Sequence, residues 1–145
     1  MGFILHGKSL WERPRLGSEI SLHEFAHIMV LPAMASEKYR MAMRLGGATS
    51  GKEVGERLLN AGMREDEAVK CIFNFLEYCK VGKPSMDETI RMAQNCESFM
   101  VSSEEPSCFF TTGFLNGFFS VVKNQHVREI KCIATGDQFC EWEIT

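Results

Sequence analysis

The stretch from Cys108 to Trp142 constrains this chain more than any other. It reads CFFTTGFLNGFFSVVKNQHVREIKCIATGDQFCEW and holds three of the six cysteines, with Glu129 just ahead of Cys132. Pro106-Ser107 starts a helix running to about Val122, in which Phe110, Phe114, Phe118 and Val121 or Val122 recur on one face. Gly113 and Gly117 lie one turn apart and offer a smooth patch, expected to pack closely on a sheet. Two alternating runs follow. His126, Arg128, Ile130, Cys132 and Ala134 share one face, and Gln138, Cys140, Trp142 and Ile144 share another. A three-residue turn at Thr135, Gly136 and Asp137 would set Cys132 opposite Cys140. Opposed Cβ atoms in an antiparallel pair lie roughly 4.5 to 5.5 Å apart. Two thiolates so placed can share one ion through Zn–S bonds of about 2.3 Å. Cys108, at a helix start where the dipole favours a thiolate, supplies a third ligand. The fourth is open among Glu129, His126 and Cys96. Strict alternation points Glu129 away from Cys132, so its participation requires a β-bulge that shifts parity by one residue.

The rest of the chain bounds what such a site can serve. At 145 residues it is most simply one domain, residues 1–145, large enough to bury a real core. A net charge of −3 with no clustered Lys or Arg gives no electrostatic footprint for nucleic acid. No apolar run approaches the ~18 to 20 residues of a membrane span. The opening MGFILHGKSLWERPR lacks the cationic start, long apolar core and cleavage site of a signal peptide. A cytoplasmic location is therefore expected, and there reduced cysteines serve as core residues, metal ligands or reactive thiols.

Taken in order, residues 1–20 read as irregular, punctuated by Pro14 and Gly17. Ser21 and Glu24 form a capping box for a short helix that should stop near Pro32. Ala33 to Arg44 favours a helix that Gly46-Gly47 should end. Thr49 or Ser50 then caps another, with Val54, Leu58 and Leu59 on one side and Gly62 after it. Glu65 to Cys79 is the clearest helix, acidic in its first turn and apolar at helical spacing, with Cys71 and Cys79 as core residues. Lys80 to Cys96 is ambiguous. Ser85 with Glu88 suits a helix, whereas Ile90, Met92 and Cys96 share strand parity.

One competing motif stands apart. His23-Glu24-Phe25-Ala26-His27 fits H-E-x-x-H, which on a helix can hold zinc with Glu24 as general base and would make the protein a metalloprotease. The helix is short, no third ligand is identifiable, and Glu24 already has a role in the capping box. The bland reading is a surface helix bearing two histidines.

Glu129-x-x-Cys132, then Gly136-Asp137 and Cys140, preceded by Cys108 and Gly113-Phe114, resembles the 4-vinyl-reductase domain family, also described as a hydrocarbon-binding domain. The match is strongest over about Cys108 to Ile144 and extends weakly back to about Met41, so residues 41–145 are similar to that domain. The resemblance implies an α+β fold, with helices packed on an antiparallel sheet of about four strands and a C-terminal β-hairpin. It is similar to the fold of nitric-oxide-sensing haem domains and vesicle-tethering TRAPP subunits. It implies that Lys80 to Met86 and Thr89 to Cys96 form a strand hairpin. It implies zinc held by Cys108, Glu129, Cys132 and Cys140.

Four protein ligands leave no open position for water, so the metal is expected to be structural. The expected function is a cytoplasmic module that binds a small apolar or aromatic molecule, not nucleic acid or a membrane, and pairs as a homodimer as related domains do. Its pocket should lie between helices and sheet, with Phe73, Phe75, Phe114 and Phe118 as candidate lining. An enzyme taking part in tetrapyrrole vinyl reduction and a structural interaction module are the alternatives. No nucleotide or flavin motif supports reduction by this chain alone, and a regulatory role would need another protein.

Overall fold

A computed structural model describes residues 21–145; the expected irregular segment 1–20 lies outside the described residues. The capping box forms as the sequence predicts. Ser21 Oγ accepts from the Glu24 amide at 3.1 Å, and Glu24 Oε2 accepts from the Ser21 amide at 2.9 Å. Helix α1 (Leu22–Phe25) runs into a π-helical turn (Ala26–Val30) and then α2 (Leu31–Ala35). The helical path therefore does not stop at Pro32. The Leu31 amide reaches back to the Ala26 carbonyl, and this wider turn places Pro32 in the first turn of a new segment. There its missing N–H costs nothing.

Gly46-Gly47 does not end a helix either. Helix α3 is continuous over Glu37–Asn60, capped by Ser36. The weak helix propensity of its glycines is overridden by packing. Gly47, Gly51 and Gly55 form a buried stripe that lies on Gly113 and Gly117 of α5 (Phe109–Val122). A Cβ on Gly51 would come within 2.9 Å of the Phe118 backbone nitrogen, and one on Gly117 within 2.9 Å of the Ala48 Cα. Gly113 and Gly117 thus serve a helix–helix contact, where a sheet contact was expected. Gly62, in the left-handed region at φ 87°, closes the C-terminus of α3.

Helix α4 (Glu65–Tyr78) matches its expected span, burying Ala68, Val69, Ile72 and Leu76. Cys71 is half-buried, but Cys79 is exposed rather than part of the core, because the helix ends one residue before it. The ambiguous region resolves as a hairpin, β1 (Lys83–Met86) with β2 (Ile90–Ala93). Strands β3 (Val127–Lys131) and β4 (Cys140–Ile144) complete an antiparallel sheet in the order β1-β2-β4-β3.

The result is an α+β fold. One hydrophobic cluster joins α4 and α5 to the inner face of the sheet, with Trp142, Phe118, Phe119, Ile72 and Ile90 at its centre. On the outer face, Glu141 of β4 is held between Arg91 of β2 and Lys131 of β3 at 2.9 and 2.7 Å, and accepts from Thr89. Both cations also lie over the Phe139 ring. Among the described residues, no helix is long and apolar enough to cross a membrane.

Candidate metal centre and apolar cavity

The β3–β4 connection decides where the cysteines point. The register shifts between Glu129 and Lys131, leaving Ile130 as the extra residue, with 44% of its surface exposed. Before the shift, Val127 is buried and Glu129 half-buried; after it, Cys132 is buried. The required bulge is present, and it breaks the shared face expected for Ile130 and Cys132. The turn is longer than three residues. A 3₁₀ turn (Ile133–Thr135) and Gly136 at φ 100° separate Cys132 from Cys140. Asp137 holds this turn, accepting from the Cys132 amide at 3.0 Å and from the Thr135 hydroxyl.

Cys108 is the N-cap residue of α5, and Cys140 opens β4. The ligand atoms of Cys108, Glu129, Cys132 and Cys140 all lie within 4.8 Å of one another, and this cluster could hold a metal ion. The Cys108 sulfur is 3.7 Å from that of Cys132 and 3.3 Å from that of Cys140. Tetrahedral Zn–S bonds of about 2.3 Å would put sulfurs roughly 3.8 Å apart, so the spacing suits such an ion. Of the other candidates for fourth ligand, neither His126 nor Cys96 joins the cluster. His126 is exposed and pairs its backbone with Thr145.

A surrounding set of hydrogen bonds orients these groups. Trp142 Nε1 donates to Thr112 Oγ1 at 2.9 Å, and the Thr112 hydroxyl donates to Glu129 Oε2 at 3.3 Å. Glu129 Oε1 is buried with no hydrogen-bond partner among the described residues. A buried carboxylate oxygen left without a donor is costly, and a cation would satisfy it. The Cys140 sulfur meets the Ser98 hydroxyl at 3.1 Å and accepts from the Ile133 amide at 3.4 Å. Oriented outer partners of this kind are what metal-ligating side chains require.

The electrostatics point the same way. Four potential anions this close cannot all ionise unaided. Burial and the adjacent Cys132 sulfur push the Glu129 carboxyl up to about 8. Hydrogen bonds to Cys132 and Cys140, together with burial, hold the Cys108 thiol well above its ordinary value. A divalent cation reverses this balance by favouring every deprotonated ligand at once.

The His23 and His27 rings lie 4.2 Å apart on an exposed surface, and His27 Nδ1 is 2.9 Å from the His23 carbonyl oxygen. Glu24 is engaged with Ser21, and no third ligating group joins the pair among the described residues. The geometry gives the H-E-x-x-H motif a capping role.

A cavity of about 470 Å³ lies between the N-terminal helical segment, α3 and the turn after α4. Leu22, Phe25 and Met29 form one wall; Met43 and Phe110 face it. Cys79, Lys80, Val81, Cys96 and Glu97 complete it. None of Phe73, Phe75, Phe114 and Phe118 lines this cavity. Phe114 and Phe118 are core residues, and Phe75 is exposed. The legible signal was the spacing of Leu22, Phe25 and Met29, one helical face with no partner of its own. Glu97, which the sequence reading missed, is buried and accepts from the amides of Phe110 and Thr111 at 2.8 and 2.6 Å. It caps α5 from outside the helix, so no local capping motif marked it. A second groove, of about 550 Å³, runs past Glu129 and carries Arg40, Arg44 and Arg128 beside Glu37 and Glu105. Its mixed charge suits an apolar guest less well.

Residues 89–145 match the family model of the vinyl-4-reductase domain. The chain carries a vinyl-4-reductase domain. The matched segment contains β2, α5, β3 and β4, and with them all four members of the cysteine–glutamate cluster. The shared fold extends beyond that segment. A vinyl-4-reductase family protein from Methanocaldococcus jannaschii superposes with a TM-score of 0.61 at 19% identity, over 90% of this chain and 83% of that one. The phenol-responsive sensory domain of the transcription activator PoxR, solved with phenol, superposes with a TM-score of 0.64 at 14% identity, over 85% and 73%. No curated protein matches the chain.

Proposed function

We propose that this protein is a small-molecule-binding module whose vinyl-4-reductase domain is braced by a structural zinc ion. The observation that carries the reading is the convergence of Cys108, Glu129, Cys132 and Cys140 around one buried point, with Glu129 Oε1 lacking any other partner among the described residues. Zinc suits three thiolates and one carboxylate. With four protein ligands it pins the start of α5 to the β3–β4 connection and leaves no position for a reacting water.

The guest is an apolar or aromatic molecule held in the cavity between Phe25, Met29, Met43 and Phe110. The fold shared with a phenol-responsive domain supports this reading. The protein works in the cytoplasm, where its thiols stay reduced, and pairs as a homodimer. Met41 and Leu45, exposed one turn apart on α3, supply apolar surface for that pairing.

Native mass spectrometry of protein isolated from its source tests metal, guest and assembly state together. The expected spectrum shows a dimer with one zinc per chain and a retained apolar molecule. Met43→Arg should release that molecule and keep the zinc. A guest still bound in that variant would place the binding site elsewhere.

A further inference from the structure

Among the residues that wall the apolar cavity, Lys80 is out of character. Helix α4 ends in a Schellman turn: the Val81 amide bonds the Leu76 carbonyl at 2.9 Å, and the Lys80 amide bonds the Glu77 carbonyl at 3.0 Å. The residue between cap and strand in such a turn adopts the left-handed conformation and is usually glycine, which alone reaches it without a steric penalty. Here that residue is Lys80, at φ 62°. Gln94 and Asn124 also have positive φ, but neither lines the cavity. Lys80 is exposed and has no side-chain hydrogen bond or ion pair among the described residues. Nothing in the fold therefore favours a lysine where glycine would be more stable. Strained residues of this kind persist where they serve a site.

We propose that Lys80 selects the head group of the guest: the cavity takes an amphiphile with an apolar body and a single carboxylate, which Lys80 meets at the rim. This rests on the cavity being the binding site. The body packs against Phe25, Met29, Met43 and Phe110, and the ammonium is the one cation of the lining among the described residues. Glu97 shares the lining, but its carboxylate is turned to the α5 amides of Phe110 and Thr111 and to the Thr111 hydroxyl. Its charge is committed to the helix start, where the dipole favours an anion.

The test displaces the neutral fluorophore N-phenyl-1-naphthylamine with decanoate or with decan-1-ol, which match in chain length and differ in charge. A charge-assisted hydrogen bond at a half-desolvated rim should make decanoate about tenfold the better competitor. That preference should vanish in Lys80→Met, which keeps the stem and the strained backbone. It should vanish equally in Lys80→Gly, while the melting temperature of that variant holds or rises. Equal displacement by acid and alcohol in the wild type, or a preference that survives both substitutions, would overturn the role of Lys80 and leave the cavity intact as a site. Failure of the fluorophore to bind, or binding untouched by Met43→Arg, would remove the cavity reading and this inference with it.

Discussion

Glu141 shows how much a single side chain can hold here. It is buried in the outer face of the sheet with Lys131, Thr89 and Arg91 around it, and these partners lower its carboxyl from 4.5 to about 2. A carboxyl whose folded value lies below its ordinary one stabilises the fold fully above about pH 4.5 and loses that contribution as pH falls toward 2. Thermal melts across this window should therefore show the wild type losing stability on acidification. Glu141→Gln should be less stable at pH 7 and lose less on going to pH 3; parallel curves would contradict the assignment. Nothing local in the sequence marks Glu141, because its partners come from β2 and β3 and the strand pairing must be known first. Glu129 differs. Its spacing to Cys132 was legible, and so was the bulge it needed. What could not be read was the support from Trp142 through Thr112, which depends on α5 lying against β4.

At the level of elements, the two helices α3 and α5 meet through glycine. The expected break at Gly46-Gly47 weighed propensity alone, and that weakness is offset wherever a glycine lets two backbones touch. Position within the stripe decides the sign of a substitution. Gly46 faces open space, whereas the Cβ of an alanine at Gly51 would press on the Phe114 and Phe118 backbone. Gly46→Ala should stabilise the protein by about 0.5 to 1 kcal/mol by favouring the helix. Gly51→Ala should cost about 1 to 3 kcal/mol, because the helices must separate. Urea unfolding of the two variants measures both; similar values would mean that the stripe is not the packing surface. Helix α4 and the β1–β2 hairpin were legible, the first from its own periodicity and the second through family resemblance. The path through Pro32 was not, because a π-helical turn has no sequence signature that propensity captures.

Across the whole molecule, three cysteines and a glutamate far apart in the chain become one point, and the segments they join carry half of the sheet and its central helix. The cysteine spacing made that centre visible before any fold was known. The cavity was not visible, because its walls come from four separate segments and its apolar residues look like ordinary core. If zinc braces the fold, its binding energy is part of folding stability. At a hundredfold excess over its dissociation constant a ligand adds about 2.7 kcal/mol, which for a chain of this size is a melting shift of about 5 to 10 °C. Metal analysis of the purified chain beside Cys132→Ser/Cys140→Ser, with a thermal melt of each, is the most direct measurement. The account predicts about one zinc per wild-type chain, none in the double variant, and a melting temperature lower by that amount. Zinc retained in the double variant, or a metal-free wild type that melts no lower than the zinc-loaded protein, would contradict it.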